Sequence, residues 1–147
     1  MRTNKYSIGK LLKKANNQMS REFDQFASSY NLTGQQMLII DFLFNHQGEE
    51  VIQNQVEIEF NIRRSTTTAI LQRMESHGLV ERVQGKKDAR QKVLHLTKKS
   101  EELVPKIKKF IMMHDDSIMS SLTIEEKLFI QKFLLGIIQH QGGEKNE

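Results

Sequence analysis

The chain has no cysteine, and that one absence removes disulfide bonds, thiolate metal sites and thiol redox sensing together. It has a single proline and eight glycines in 147 residues, so little in it interrupts regular structure. No stretch approaches the roughly 20 apolar residues that a membrane-spanning helix needs. Met1 to Lys14 carries charges where a signal peptide has an apolar run. The expected location is therefore the cytoplasm. Five histidines (His46, His77, His95, His114 and His140) show no close pair at metal-ligand spacing, so no metal site is expected. The sequence also lacks a phosphate-binding glycine loop, a zinc-protease helix motif and a nucleophile elbow. Asp115-Asp116 reads as solvated helix surface rather than a catalytic pair. Together these absences point away from an enzyme and from any cofactor.

What is present is an uneven charge distribution. The net charge of +4 is modest, but residues 61–99 hold ten Lys or Arg (Arg63, Arg64, Arg73, Arg82, Lys86, Lys87, Arg90, Lys92, Lys98 and Lys99) against Glu75, Glu81 and Asp88. That segment is +7 and the remainder is −3. A basic module inside an otherwise mildly acidic chain is what a phosphate-binding surface requires.

Apolar periodicity predicts a mainly helical fold with one small β element. Tyr6 to Ser29 forms a first helix with Leu11, Leu12, Ala15, Met19, Phe23 and Phe26 near one stripe, and Asn31-Leu32 ends it. Thr33-Gly34-Gln35-Gln36 is a capping box that opens a second helix, central by its content of Met37, Leu38, Ile40, Phe42, Leu43 and Phe44. Ile52 to Phe60 and Arg64 or Ser65 to His77 make two short helices with a tight connector, a helix-turn-helix pattern. Thr67, Ile70, Leu71 and Met74 give the second of these a narrow buried stripe, and Gly78 is its expected stop. Leu79 to Gln84 and Gln91 to Leu96 are β-prone runs flanking a turn at Gly85 to Arg90. Thr97 caps a helix running to about Leu122, which Pro105 should kink or shorten. Thr123-Ile124-Glu125-Glu126, a second capping box, opens a last helix to about His140.

This order is a winged helix-turn-helix. The major groove of B-DNA admits one α-helix, whose exposed side chains reach base edges. Gln72 and Arg73 are the expected base readers, for adenine and guanine, and Ala69 suits a thymine methyl. Ser65, Thr66 and Thr68 are short donors near a helix N-terminus that position the helix on phosphate, beside Arg63 and Arg64. Three β-branched residues in succession, Thr66-Thr67-Thr68, lower helix propensity, so something else placed them there. In the wing, Lys86, Lys87, Arg90 and Lys92 are spaced to follow a phosphate backbone or enter a minor groove. Asp88 is expected to orient the guanidinium of Arg90 or Arg82.

The final helix carries Leu128, Phe129, Ile130, Phe133, Leu134, Leu135, Ile137 and Ile138, more apolar circumference than one intrachain contact covers. A homodimer is the natural cover. Tyr6, Ile8, Ile107, Phe110, Ile111, Leu128, Phe129, Phe133, Leu134, Ile137 and Ile138 are its candidate interface residues. Two-fold symmetry would set two recognition helices about 34–36 Å apart, matching successive major grooves.

In Ser65-Thr66-Thr67-Thr68, in Gly78-Leu79-Val80-Glu81-Arg82 and in Asp88-Ala89-Arg90 followed by Leu94-His95-Leu96-Thr97, the sequence resembles the MarR family of bacterial transcription factors. The helix order extends the resemblance over nearly the whole chain. It implies one MarR-like unit over 1–147, a DNA-binding part at 33–97, dimerisation helices at 1–30 and 98–141, and a flexible tail at 142–147. It also implies a pseudo-palindromic double-stranded DNA operator, repression, and release by a small-molecule effector. The effector pocket implied where the dimer helices meet the winged part has Met19, Phe23, Phe26, Phe44, His46, Met112 and Met113 as candidates. Two positions depart from the family: Ser100 stands where Gly is usual, and Glu57 where a small Ala is frequent. The rival reading is a winged helix used for protein assembly, which would prefer apolar anchors on the exposed helix face.

Overall fold

The computed structural model describes the backbone of residues 7–143 and side chains through Gln139. Tyr6 and residues 144–147 lie outside the described residues. Among the described residues, six helices and one two-stranded antiparallel sheet follow in the order α1 (Ile8–Ser28), α2 (Gly34–Asn45), α3 (Gln53–Phe60), α4 (Arg64–Ser76), β1 (Val80–Gln84), β2 (Lys92–Leu96), α5 (Lys98–Met119) and α6 (Ile124–Gly143). The mainly α fold with a small β wing is as expected from periodicity. Among the described residues no helix is long and apolar enough to cross a membrane.

The chain divides into two compact units, Met1–Lys108 and Lys109–Glu147, with the division inside α5. Gly142 and Gly143, expected in a tail, continue α6. Pro105 does not shorten α5, which runs on through it.

In the first unit the core is built around α2, whose Met37, Ile39 and Ile40 are fully buried. Val56 from α3, Leu71 and Met74 from α4, Leu79 and Val80, Val93 and Leu94, and Val104 and Ile107 from α5 complete it. Ile107 therefore corrects an expectation: at 1% exposure it is spent on its own chain's core, one helical turn from Val104 at 3%, and offers a second chain almost no surface.

Both capping boxes form. Thr33 Oγ1 accepts from the Gln36 backbone N–H at 3.1 Å, and Gln36 Oε1 accepts from the Thr33 N–H at 3.0 Å. Thr123 and Glu126 repeat the exchange at 3.1 and 2.9 Å. The backbone hydrogen bond from Thr123, followed by its side-chain hydrogen bond, holds the Glu126 carboxyl below the usual glutamate value.

The start of α2 is seated tightly on α1. The Gly34 N–H donates to Asp24 Oδ1 at 2.7 Å, and a Cβ at Gly34 would meet Phe23 Cβ at 2.9 Å and the Asp24 carboxylate at 3.0 Å. Gly34→Ala therefore forces the two helices apart. A loss of about 1–3 kcal/mol in urea unfolding is expected, the usual cost of overpacking; an unchanged midpoint would show that α1 yields freely there.

Ser100, the departure from the usual Gly, is fully buried and satisfied. Its hydroxyl donates to the Leu79 carbonyl at 2.6 Å, next to the Thr97 hydroxyl, which donates to the Gly78 carbonyl at 2.7 Å. The hydroxyl ties the start of α5 to the beginning of the wing, a buried polar group with its partner in place.

Candidate nucleic-acid interface

Helix α4 buries one stripe and exposes the rest. Thr67, Leu71 and Met74 are at 0% exposure, and Ile70 is half-buried. Thr67 Oγ1 donates to the Arg63 carbonyl at 2.9 Å and Thr68 Oγ1 to the Arg64 carbonyl at 2.8 Å. These hydroxyl bonds to the preceding turn give a poor helix-forming run a local use. Arg63, Arg64, Ser65, Thr66, Ala69, Gln72 and Arg73 are exposed, and Thr68 is half-exposed. The left-handed Asn61, at φ 50°, closes α3 and turns the chain into α4 within three residues.

The wing pairs Val80 with Leu96 through Gln84 with Lys92. Val80 and Leu94 are buried on one face of the sheet and Val93 on the other, so both faces of the wing base are anchored. An isolated bridge between Ile52 and Val93, with the Leu94 N–H donating to the Val51 carbonyl at 2.8 Å, ties the segment before α3 to β2. Lys86, Lys87, Arg90 and Lys92 are exposed at and beside the tip. The tip is tight: a Cβ on Gly85 would lie 2.6 Å from the Asp88 carbonyl oxygen, too close for any residue but glycine without moving backbone.

Of the two guanidinium groups offered for Asp88, the structure selects Arg90. Asp88 Oδ1 accepts from the Arg90 N–H at 3.0 Å and from Arg90 Nε at 3.2 Å, while the Arg90 side chain stays 91% exposed. Arg82 instead places its Nε 3.1 Å from the Glu75 carboxylate, joining the wing to the last turns of α4. Its Nη2 is buried without a hydrogen-bond partner.

Helix α3, the start of α4 and the base of the wing border one hollow of about 330 Å³, lined by Ile52, Gln53, Asn54, Glu57, Arg64, Arg82, Gln91 and Lys92. Three cations and one carboxylate make it net positive. Glu57, where Ala is frequent, stands on its wall. The helix-turn-helix and the base of the wing thus open on a common concave basic surface.

Three contacts carry no sequence signal of their own. Glu50, before α3, accepts from the Lys86 backbone N–H at 2.7 Å and so tethers the wing tip across 36 residues of sequence. Gln53 donates to Thr68 at 2.8 Å. Arg82 is legible in the Gly78–Arg82 motif and as an alternative partner for Asp88, but its pairing with Glu75 is not. Each is a contact between distant segments, invisible to local spacing.

Among the effector-pocket candidates, Met19, Phe23, Phe26, Phe44 and His46 are half-buried in the first unit. His46 lines a cavity of about 70 Å³ there with Leu43, Val51 and Leu94. Met112 and Met113, in the second unit, are 59% and 57% exposed. In that unit Leu128, Phe129, Phe133, Leu134, Ile137 and Ile138 are all exposed, Phe129 at 70%, and Phe110 and Ile111 are half-buried. Ile8, on α1 in the first unit, is exposed as well. Among the described residues no cluster of His, Cys, Asp or Glu suits a metal ion.

Residues 21–107 match a family model described as the transcriptional regulator SarA/Rot. The HTH-type transcriptional regulator MgrA of Staphylococcus aureus is 31% identical over 94 residues, 63% of this chain and 63% of the relative. The match thus spans a little under two thirds of that relative. Among solved structures, the transcription regulator MarR from Oenococcus oeni PSU-1 is similar over 90% of this chain and 99% of its own, with 45% identity and a TM-score of 0.83. S. aureus MepR in complex with DNA superposes with a TM-score of 0.87 over 95% of this chain and 99% of its own. At 20% identity that likeness speaks for the fold alone.

Proposed function

We propose that this chain, which belongs to the SarA/Rot family of transcriptional regulators, regulates transcription by binding double-stranded DNA as a homodimer on a pseudo-palindromic operator. Its action is binding in the cytoplasm rather than catalysis, and repression by occupancy of a promoter is the simplest outcome. The observation that carries the reading is the shared hollow: Arg64 at the start of α4 and Lys92 at the base of the wing border the same basic concavity. A duplex seated there has α4 in its major groove and the wing tip along the adjacent phosphates or minor groove. The exposed face of α4 carries hydroxyls, Gln72 and Arg73 rather than apolar anchors, which favours DNA over a protein partner.

Roles divide by chemistry. Arg73 and Gln72 read guanine and adenine edges, with Ala69 beside them. Arg63, Arg64, Ser65 and Thr66 hold phosphates, as do Lys86, Lys87 and Lys92. Arg90, steered by Asp88, enters the minor groove. A small-molecule effector that releases the DNA remains part of the proposal through the family resemblance, and its pocket is sought first around His46 and the neighbouring aromatic residues.

Selection of bound fragments from a genomic pool tests the reading. An enriched palindrome is the expected result, and salt-sensitive binding without one would overturn it. On the enriched operator, Arg73→Ala is expected to cost about 1–3 kcal/mol and to relax preference at one guanine per half-site. Arg90→Ala weakens binding on all sequences and lowers the salt slope by about one per protomer. Identical profiles for the two variants in a competition assay would contradict the division of roles.

A further inference from the structure

The hydroxyl of Thr68 has its one proton engaged inside the protein. Its oxygen lies 2.8 Å from the Arg64 carbonyl and 2.8 Å from Gln53 Nε2. A hydroxyl has one proton to give, and a carbonyl can only accept. The proton therefore goes to Arg64, and the contact with Gln53 must be donation from the Gln53 amide to a Thr68 lone pair. No proton remains for a phosphate or a base acceptor, the role its residue type suggests. What this half-exposed side chain has left to offer is one acceptor lone pair and its Cγ2 methyl. Thr68 shares its face of α4 with the exposed Ser65 and Gln72, three residues before and four after it.

The geometry points to Thr68 as an apolar reader of a thymine C5-methyl group, with Gln53 as the positioning residue that holds it in that role. The inference rests on the DNA-binding reading above and refines it. A threonine in a helix divides between two rotamers because its hydroxyl can bond backward in either. Gln53, from the first turn of α3, rewards one of them with a second hydrogen bond. That rotamer turns the oxygen toward the preceding turn and α3 and leaves the methyl on the remaining side. The thymine methyl is the one apolar feature the major groove presents, so a fixed methyl there discriminates by contact area. Gln53 needs no contact with DNA to do this.

Thymine replaced by deoxyuridine in the operator removes that methyl and nothing else. With the natural protein, substitution at one symmetry-related pair of positions is expected to weaken binding about four- to fifteenfold, the scale of burying one or two methyl-sized groups. Thr68→Ser keeps both hydrogen bonds but has no methyl, so it binds the two operators equally. Thr68→Val discriminates as well, because valine holds its two methyls in one preferred helical rotamer and so keeps an ordered methyl at this position without any hydrogen bond. Gln53→Ala frees the rotamer and reduces discrimination below about twofold. Adding Thr68→Val to Gln53→Ala restores it, which no general loosening of α3 would produce. An operator that binds well but shows no methyl-sensitive position, or a Thr68→Ser protein that still discriminates, overturns the inference and leaves DNA binding standing. Failure to enrich any operator overturns both, so the two failures are distinguishable.

Discussion

Phe133→Asp is expected to give a monomer in sedimentation at micromolar concentration and to lose about a hundredfold to ten-thousandfold in operator affinity. Nine large apolar side chains of α6 between Ile124 and Ile138 are exposed in the single chain, among them Leu128 at 61%, Phe129 at 70% and Phe133 at 44%. Phe129 and Phe133 stack with ring centroids 6.4 Å apart, a rigid apolar ridge. Each such side chain removed from water contributes roughly 1.5–3 kcal/mol, so a surface of this kind is costly to leave wet. A carboxylate in a two-fold interface also lies near its own copy or in an apolar setting, and both oppose association. Once the pair dissociates, the second half-site is no longer bound at high effective concentration, which is the origin of the expected loss. Phe133 is exposed in the chain alone, so the substitution removes nothing from the chain's own core. Circular dichroism of the monomer is expected to show the helical content of the natural chain. A Phe133→Asp protein that sediments as a dimer would mean that α6 is covered by something other than a second copy.

Raising the salt concentration from 50 to 200 mM is expected to weaken operator binding about a thousandfold or more. Each protomer presents Arg63, Arg64, Lys86, Lys87, Arg90 and Lys92 on exposed positions, and a pair engaging six to ten phosphates releases a comparable number of counterions. The slope of log K against log salt is then about −5 to −9. The triple variant Lys86→Ala, Lys87→Ala, Arg90→Ala is expected to flatten that slope while leaving the selected operator sequence unchanged, because phosphate and minor-groove contacts at the wing set affinity more than base choice. A slope near zero in titrations of the natural protein, or a slope the triple variant does not alter, would remove the wing from the interface.

Glu50 and Asp88 give these cations their geometry. Both are acids in a basic segment, and each holds the wing by accepting a backbone N–H, from Lys86 and Arg90. On the DNA-binding reading these two acids oppose phosphate at long range and shape the tip at short range. Gly85, Glu50 and Asp88 together leave the tip little freedom, so Arg90 is presented by an ordered loop rather than found by a mobile one.

The sequence by itself determined much of what neighbours in the chain govern, the run of α5 through Pro105 excepted. Thr33 with Gln36 and Thr123 with Glu126 marked two helix starts because a capping box is complete within four residues. The stripe of Thr67, Leu71 and Met74 gave the orientation of α4, and the spacing of two β-prone runs gave the wing. Only the tertiary structure decided which distant groups meet: Arg82 with Glu75, Glu50 with the Lys86 backbone, Gln53 with Thr68, and Ile107 in its own chain's core rather than against a second chain. Periodicity reports which side of a helix shuns water, since that follows from 3.6 residues per turn. It does not say what covers that side, because a partner is fixed by how whole elements pack and by hydrogen bonds that close across dozens of residues.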